Sequence, residues 1–424
     1  MTIETLFYAM LVLNMASELF FHFHEKRYER DLHKEVIPEI APYAPENYNW
    51  QRERDYKKSR RNFGLFSSII SFALTLVIFL SGSFTSIMKT IFQTWQTPFW
   101  QGFWFTFLFV FAYTLYSIPF AWYSSFVIEE RFGFNRKTPL TFWKDQLTST
   151  CLGLAIAPLL MGLANTLAGR PFGIPLVFIT IILFSMGISF IFPVIIMPLF
   201  YRIVPLEEGE LKEKVNQLIR RTGLPVKGAF KADQSRRSSH ANAMVAGMGR
   251  SKKIILFDTL LDRMSLQQVL GVLAHELGHW SKKHTRKLLL AGTAEQAFLF
   301  LVVWAMWNSP FSVSVFGMEN MTLPRLLVII FIVSSLLGLF ISPLESWLSR
   351  KYEFEADEYA ALYTDASSFR EALSSLATND LAWIPPSPLY STWFSSHPSI
   401  PERILSLSRY EKNSVHTGKM KEEE

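Results

Sequence analysis

Seven long apolar stretches run through this 424-residue chain, and they limit its fold more than any other feature. A helix needs about 20 mostly apolar residues to cross the hydrocarbon core of a bilayer. The stretches therefore predict about seven membrane-spanning helices. The predicted spans are Ile3–Phe23, Phe63–Met88, Trp100–Tyr123, Thr148–Ala168, Pro175–Tyr201, Leu288–Trp307 and Leu326–Trp347.

The composition favours a polytopic membrane protein over a large soluble domain. Half of the residues are hydrophobic and only 18% are charged, whereas roughly a quarter are charged in a soluble protein. The single cysteine, Cys151, excludes an intramolecular disulfide and a zinc site built on several cysteines. The net charge is +6, but the sequence has no Gly-rich phosphate loop or RNA-binding signature. We expect no nucleic-acid partner and assign the basic residues to loops that contact membrane lipids.

The loops between the spans alternate in charge, and this alternation orients the chain. The loop after the first span is dense in Lys and Arg from Lys26 to Arg61, whereas the next loop has only Lys89. Cytoplasmic loops carry the excess of Lys and Arg. The pattern predicts an external N-terminus and a cytosolic C-terminus, with residues 202–287 and 349–424 on the same cytosolic face.

Residues 202–287 have the pattern of a small folded α+β domain. The stretch LEEGELKEKVNQLIRRTGLP has helical periodicity and ends in a Gly-Leu-Pro stop. VKGAFKAD and KKIILFDTLL are typical of short strands. SLQQVLGVLAHELGHWSKKH then predicts a helix with Ser265 as its N-cap.

That helix carries the pattern His-Glu-x-x-His. Positions four apart lie on one face of a helix, so His275 and His279 can bind one metal ion. Glu276 lies beside them and can act as a general base, as in zinc peptidases. The pattern alone is weak, since a helix with two surface histidines also satisfies it. The apolar residues before His275, and Gly278, which permits a close approach, strengthen the interpretation as a metal site.

A third ligand is available in SRKYEFEADEYA, which we expect to continue the last span as a helix. Glu353 and Asp357 are four residues apart and share a face. Catalytic zinc takes three protein ligands and keeps a fourth position open. Glu353 is the predicted third ligand, and Asp357 is predicted to hold a ligand histidine by its other ring nitrogen. We expect Glu355 and Glu358 to be solvated and His284 to be polar surface or chamber lining.

SSHANA, IILFDTLL, LAHELGHW and SRKYEFEAD occur in that order between membrane spans. This arrangement resembles the type I, zinc-dependent CAAX prenyl protease family over essentially the whole chain. The resemblance implies an all-α polytopic membrane protein whose seven helices form a barrel around a water-filled chamber. A cytosolic α+β zinc-metalloprotease domain would cap the chamber.

The resemblance also assigns residue roles. It implies one zinc ion per chain, bound by His275, His279 and Glu353, with Glu276 as the catalytic glutamate. The motif matches extend to three further positions. Asn242, in HANA, would hold the substrate backbone or the oxyanion, and His397, in HPSIPERI, would donate to the oxyanion. Arg403 would brace Asp357 or the substrate.

The resemblance further divides the chain into four segments. They are residues 1–201 with five membrane helices and basic cytosolic loops, 202–287 with the metalloprotease subdomain, 288–347 with two membrane helices, and 348–424 with the third ligand and the His-Pro segment. Family members remove the C-terminal three residues after a prenylated cysteine. The expected location is the endoplasmic reticulum for a eukaryote and the inner membrane for a bacterium, with the site on the cytosolic side.

Two other functions remain open from the residues. A membrane-protein quality-control metalloprotease would use the same catalytic residues and need no prenyl group. A non-enzymatic seven-span receptor or scaffold would predict scattered or degenerate zinc ligands, whereas all three ligands and Glu276 are present in this sequence. The zinc content of the purified protein would separate the enzymes from the receptor.

Overall fold

Seven helices of the described residues are long and apolar enough to cross a membrane, which confirms the predicted number. The computed structural model describes residues 2–247, 252–309, 316 and 322–410, without the side chains of residues 33–36. The spans are Ile3–Leu32, Trp50–Leu80, Pro98–Glu129, Pro139–Ala168, Gly173–Phe200, His284–Trp307 and Thr322–Tyr363. Many of their apolar side chains are exposed, among them Val77, Phe109, Leu183 and Phe340, as expected for surfaces that face lipid.

The helices are α1 (Ile3–Ile40), α2 (Trp50–Leu80), α3 (Ser83–Thr94), α4 (Pro98–Tyr123), α5 (Pro139–Ala168), α6 (Gly173–Ile191), α7 (Met197–Phe200), α8 (Glu210–Thr222), α9 (Asp258–Leu261), α10 (Leu266–Ser281), α11 (His284–Trp307), α12 (Thr322–Tyr363), α13 (Ala366–Asn379) and α14 (Pro388–Phe394). A further helix covers residues 400–410. The strands are β1 (Ile203–Pro205), β2 (Ala229–Ala232), β3 (Ala243–Ala246) and β4 (Lys253–Phe257).

The second span differs from its prediction at both ends. The prediction Phe63–Met88 was wrong to run through Gly82, because α2 ends at Leu80 and α3 begins at Ser83. Gly82 has a φ of 71°, a left-handed conformation that glycine adopts at little cost. The new helix direction buries Met88 completely. The span also starts earlier, at Trp50, because the basic segment before Phe63 is helical as well.

A cavity of about 1250 Å³ lies between α1, α2, α12 and the chain near Asp380–Ile400. Its wall is both apolar and charged. Leu13, Phe331 and Leu339 contribute apolar surface, while Glu18 and Arg60 contribute charge. The cavity therefore lies between three of the seven spans and the C-terminal region.

The domain after the fifth span contains a four-stranded sheet in the order β1-β2-β4-β3. β2 and β4 are parallel, and the other two pairs are antiparallel. Only β2 and β4 were predicted. The core beneath the sheet joins Leu256 of β4 to Leu273 and Leu277 of α10 and to Phe369 of α13, all of them at most 1% exposed. This core packs α10 against the sheet, in which β1 and β3 are the two outer strands.

Buried polar contacts fasten this domain to the loops at one end of the membrane helices. The carboxylate of Glu53 in α2 is fully buried and accepts hydrogen bonds from the backbone N–H groups of Trp383 (3.2 Å) and Ile384 (2.7 Å). Arg237 donates to Asp145 of α5 at 2.8 and 3.0 Å. The basic loops and the C-terminal region therefore lie at the same end of the helix bundle.

Candidate metal centre

Helix α10 presents the two motif histidines one turn apart. Its first turn is closed by a capping box, in which the Ser265 side chain accepts from the Gln268 N–H and the Gln268 side chain accepts from the Ser265 N–H. This arrangement confirms the predicted N-cap. The apolar residues that follow bury one face of the helix. His275 is 7% exposed, whereas His279 is half-buried and lies nearer to solvent.

Helix α12 runs without a break from the last membrane span to Tyr363 and carries Glu353 to the two histidines. It can lie against α10 because Gly278 has no side chain. A Cβ at Gly278 would lie 3.0 Å from the Cβ of Tyr359 and 3.2 Å from the backbone of Ala356. The close approach that glycine permits here is therefore between two helices.

The side chains of His275, His279 and Glu353 bring their possible ligand atoms together in a ligand triangle, to which Glu353 presents both carboxylate oxygens. His275 Nε2 lies 3.1 Å from His279 Nε2 and 3.4 Å from Glu353 Oε2, and His279 Nε2 lies 3.2 Å from Glu353 Oε1. Ligands at about 2.0–2.1 Å from a tetrahedral zinc ion are separated by about 3.3–3.4 Å. Buried Glu353 Oε2 has no hydrogen-bond partner among the described residues. The spacing, the donor types and this unpartnered oxygen fit a zinc ion with one open position.

Asp357 and Arg403 hold the first of these histidines from behind. Asp357 Oδ1 lies 2.8 Å from His275 Nδ1, the nitrogen that points away from the triangle. Arg403 donates to both Asp357 oxygens, at 2.9 and 2.6 Å. Burial lowers the pKa of Arg403, but Asp357 raises it above its ordinary value, so the guanidinium stays charged. The pair orients His275 as a ligand, and the carboxylate favours the tautomer with its proton on Nδ1.

The protonation of His275 reflects the same carboxylates. Burial and Arg403 lower the pKa of His275, whereas Asp357 and Glu353 raise it, with a net value of about 9. A histidine binds a metal only through an unprotonated nitrogen. Protons therefore compete with the metal at His275, and the carboxylates that attract the cation also attract the competing proton.

Glu276 lies next to these ligands and is half-buried. Burial raises the pKa of its carboxyl, and the electrostatic effect of the His275 and His279 rings partly opposes this rise. A general base works best when its pKa is not far from the working pH. The environment of Glu276 therefore suits a group that accepts a proton and later returns it.

His397 lies at the edge of the triangle and Asn242 lies at the sheet edge. His397 Nε2 is 3.4 Å from Glu353 Oε1, and the side chain is 65% exposed. Asn242 is exposed and directly precedes β3, which packs against α10. Its carbonyl accepts from the Phe257 N–H at 3.2 Å, which fixes the backbone there. The structure therefore places His397 beside the ligands and Asn242 at the strand that flanks the metal helix.

The expectation for His284 was wrong, and that for Glu355 missed its partner. His284 is only 1% exposed, and its Nδ1 lies 3.1 Å from Nδ1 of His279. Its Nε2 lies 3.1 Å from Glu355 Oε2, so Glu355, whose side chain is 29% exposed, contacts the site as well as solvent. Glu358, in contrast, is exposed as expected. The physical reason is the turn at Lys283, whose φ of 58° ends α10 and directs His284 back towards His279.

Sequence reasoning also left His240 without a role. Its ring lies between Asp380 (3.0 Å) and Glu129 (3.6 Å) and stacks on Phe134 at 4.5 Å. Hydrogen bonds with the two carboxylates raise the pKa of His240 to about 9, despite an opposing effect of burial. A protonated His240 therefore joins the end of the third span at Glu129, the sheet domain and the C-terminal region at Asp380.

Comparisons with known proteins match both halves of the chain. Residues 29–202 match the family described as CAAX prenyl protease N-terminal, five membrane helices, and residues 205–411 match Peptidase family M48. The chain is 30% identical over 413 residues to CAAX prenyl protease 1 of Saccharomyces cerevisiae, which covers 90% of each protein. It is 32% identical over 302 residues to a CAAX prenyl protease 1 homolog of Arabidopsis thaliana, covering 70% of this chain and 71% of that one.

A solved structure gives the same result for the fold. The crystal structure of Ste24p from S. mikatae matches with a TM-score of 0.82 and 27% sequence identity, covering 96% of this chain and 99% of the other. The match extends through the membrane helices and the sheet domain. The chain belongs to peptidase family M48, in the branch with the CAAX prenyl protease N-terminal domain, and is a multi-pass membrane metallopeptidase.

Proposed function

We propose that this chain is a zinc endopeptidase that removes the C-terminal three residues after a prenylated cysteine. The observation that carries the proposal is the ligand triangle of His275, His279 and Glu353, located at the end of a helix bundle that encloses a cavity. The cavity wall continues to Pro398 and Ser399, directly after His397. A substrate with an apolar group in the cavity can therefore reach the metal centre with its peptide portion.

When bound, zinc supplies a Lewis acid that polarises the scissile carbonyl and brings the pKa of a bound water to about 7. Glu276 accepts the proton of the attacking water and delivers it to the leaving amine. His397, near Glu353 and open to solvent, donates to the developing oxyanion. Asn242 holds the substrate backbone beside β3, an outer strand of the sheet to which an extended peptide can add. Asp357 and Arg403 keep His275 oriented.

The proposed orientation places the metal centre on the cytosolic side. At one end of the bundle, Glu53 in the basic segment of α2 contacts the C-terminal region, and Arg237 of the sheet domain contacts Asp145 of α5. Loops rich in Lys and Arg are retained in the cytosol. In a eukaryote we assign the endoplasmic reticulum, where the cytosolic site meets newly prenylated proteins, and in a bacterium the inner membrane.

The test compares a farnesylated C-a-a-X peptide with its unprenylated twin, using purified full-length protein in detergent and Glu276→Gln as the matched control. We expect release of the tripeptide from the farnesylated peptide alone, with a rate at least about 100-fold lower in E276Q. Equal cleavage of both peptides, still dependent on Glu276, would instead assign the quality-control activity. Cleavage that is unchanged in E276Q would overturn the mechanism.

A further inference from the structure

The second metal histidine, His279, is supported through another histidine and not by a carboxylate directly. Its Nε2 belongs to the ligand triangle, while its Nδ1 lies 3.1 Å from His284 Nδ1. The other ring nitrogen of His284 lies 3.1 Å from Glu355 Oε2. These contacts form one row from the carboxylate of Glu355 through two rings to the ligand triangle.

The row has a single consistent assignment of protons for a metal-binding His279. Because Nε2 of His279 must be free of a proton to bind the metal, Nδ1 carries the proton and donates it to His284 Nδ1. His284 then carries its own proton on Nε2 and donates to Glu355. Each donor meets an acceptor, and the row fixes both the tautomer and the rotation of the His279 ring.

Packing holds the intermediate ring in this position. His284 is 1% exposed and stacks on Tyr352 with a centroid distance of 4.3 Å and an interplanar angle of 9°. Lys287 Nζ lies 5.1 Å from the centre of the Tyr352 ring. Glu355 has Lys351 as a second, longer contact at 3.9 Å, and 29% of its side chain is exposed. Most of the rigidity therefore comes from the buried, stacked His284 ring.

We propose that His284 and Glu355 are positioning residues that hold His279 in its metal-binding tautomer and slow the release of the metal. Neither side chain belongs to the ligand triangle. This inference rests on the metal assignment in the proposed function, but not on the prenylated substrate. It predicts that loss of either residue weakens metal retention and leaves the stability of the metal-free fold unchanged.

The experiment measures transfer of zinc from the purified, full-length, zinc-loaded protein to a coloured chelator, 4-(2-pyridylazo)resorcinol. The variants are His284→Leu, His284→Asn, Glu355→Gln and the matched control Glu358→Gln. Asn places an oxygen near the former Nδ1, so it keeps the acceptor for His279 but loses the link to Glu355. Thermal unfolding of the metal-free forms and the visible spectrum of the cobalt-substituted forms are recorded in parallel.

We expect H284L to release zinc about 10–100-fold faster and E355Q about 10-fold faster, in line with the effect of residues behind metal-ligating histidines. H284N is expected between H284L and the unmodified protein, and E358Q within about twofold of the latter. The metal-free unfolding midpoints should agree, and the cobalt spectra of H284L and E355Q should shift.

Unchanged zinc release in both H284L and E355Q would overturn the inference, as would an equal acceleration in E358Q, since charge alone would then explain the effect. If H284L does not fold, E355Q and H284N decide the question in the same way. A wild-type protein that holds no zinc would overturn the metal assignment together with this inference. A protein that holds zinc but leaves the farnesylated peptide intact would refute only the proposed substrate. The zinc-release rates of the variants would still test the role of His284 and Glu355.

Discussion

The two histidine ligands reach the same metal position with unequal support. His275 is buried and rests directly on Asp357, which Arg403 fixes with two hydrogen bonds. His279 is half-buried, and on its Nδ1 side a second histidine, His284, lies between its ring and the carboxylate of Glu355. A direct, buried carboxylate constrains a ligand more strongly than a relayed one with partial exposure. The comparison indicates that His275 anchors the metal, while His279 is the ligand whose position is easier to perturb.

Removal of either histidine ligand should have the same effect on zinc binding, although the two histidines differ in their support. Replacing either His275 or His279 with Ala leaves two protein ligands, too few for a catalytic zinc site. We expect both variants to contain less than about a tenth of the zinc of the unmodified protein and to lose peptide cleavage. Metal analysis after dialysis checks this prediction. Full zinc content in either variant would remove that histidine from the site.

Replacement of Asp357, which supports His275, should weaken zinc binding more than replacement of Glu355, which supports His279 through His284. Asp357→Asn keeps the shape but loses the charge that orients His275 and binds Arg403, so we expect up to about a 100-fold loss of zinc affinity. Glu355→Gln acts through His284 and should cost about tenfold. Competition with a chelator of known affinity measures both. A larger effect of E355Q would reverse the comparison and make His279 the anchor.

A bulkier residue at Gly278 should disturb both histidines equally. Gly278→Val introduces a side chain where even a Cβ would lie 3.0 Å from Tyr359. Moving α10 away from α12 separates both histidines from Glu353 and costs about 1–3 kcal/mol of stability. Denaturant unfolding and zinc affinity are the measurements. Gly278→Ser is a smaller matched change. Unaffected zinc binding in either variant would show that the close approach of α10 and α12 at Gly278 does not hold the two histidines near Glu353.

His240 also lies between two carboxylates, but away from the ligand triangle. Its replacement should therefore change the stability of the fold without changing the zinc content. Its pKa is raised from an ordinary 6.5 to about 9. Protonation therefore stabilises the fold fully below pH 6.5, and the stabilisation is lost as the pH rises through about 9. Given its partial exposure, we expect on the order of 1–2 kcal/mol.

The measurement for His240 is the thermal unfolding midpoint from pH 6 to pH 10. The midpoint should fall across pH 6.5–9 in the unmodified protein and vary less in His240→Gln, while zinc content stays equal at neutral pH. An identical pH profile for the two proteins would show that the Glu129–His240–Asp380 contact contributes no stability.

The sequence alone was sufficient for the features that depend on local periodicity. The apolar stretches predicted seven spans, and Ser265 predicted the start of α10, because both signals lie within one element. The i,i+4 spacings predicted that His275 and His279 share a face, as do Glu353 and Asp357. What joins those faces is the tertiary packing at Gly278, which a single sequence indicates only weakly.

Two features that the sequence did not predict depend on single backbone turns, and a third depends on a contact between distant segments. Gly82 ends α2 within an apolar stretch that is long enough for a continuous span. Lys283 adopts a left-handed conformation that its residue type does not indicate. His284, expected at the polar surface or in the chamber lining, therefore turns back and is buried beside His279. His240 meets Glu129 and Asp380 from segments more than 100 residues away, and no local pattern encodes that contact.

The binding of one zinc ion by two histidines and one glutamate can be measured by zinc X-ray absorption together with metal analysis. We expect one zinc per chain with two imidazole nitrogens at about 2.0–2.1 Å and a carboxylate oxygen at about 2.0–2.2 Å. Glu353→Ala should lose the carboxylate signal and most of the metal. Three imidazoles around the zinc, or an unchanged spectrum in E353A, would contradict this ligand assignment.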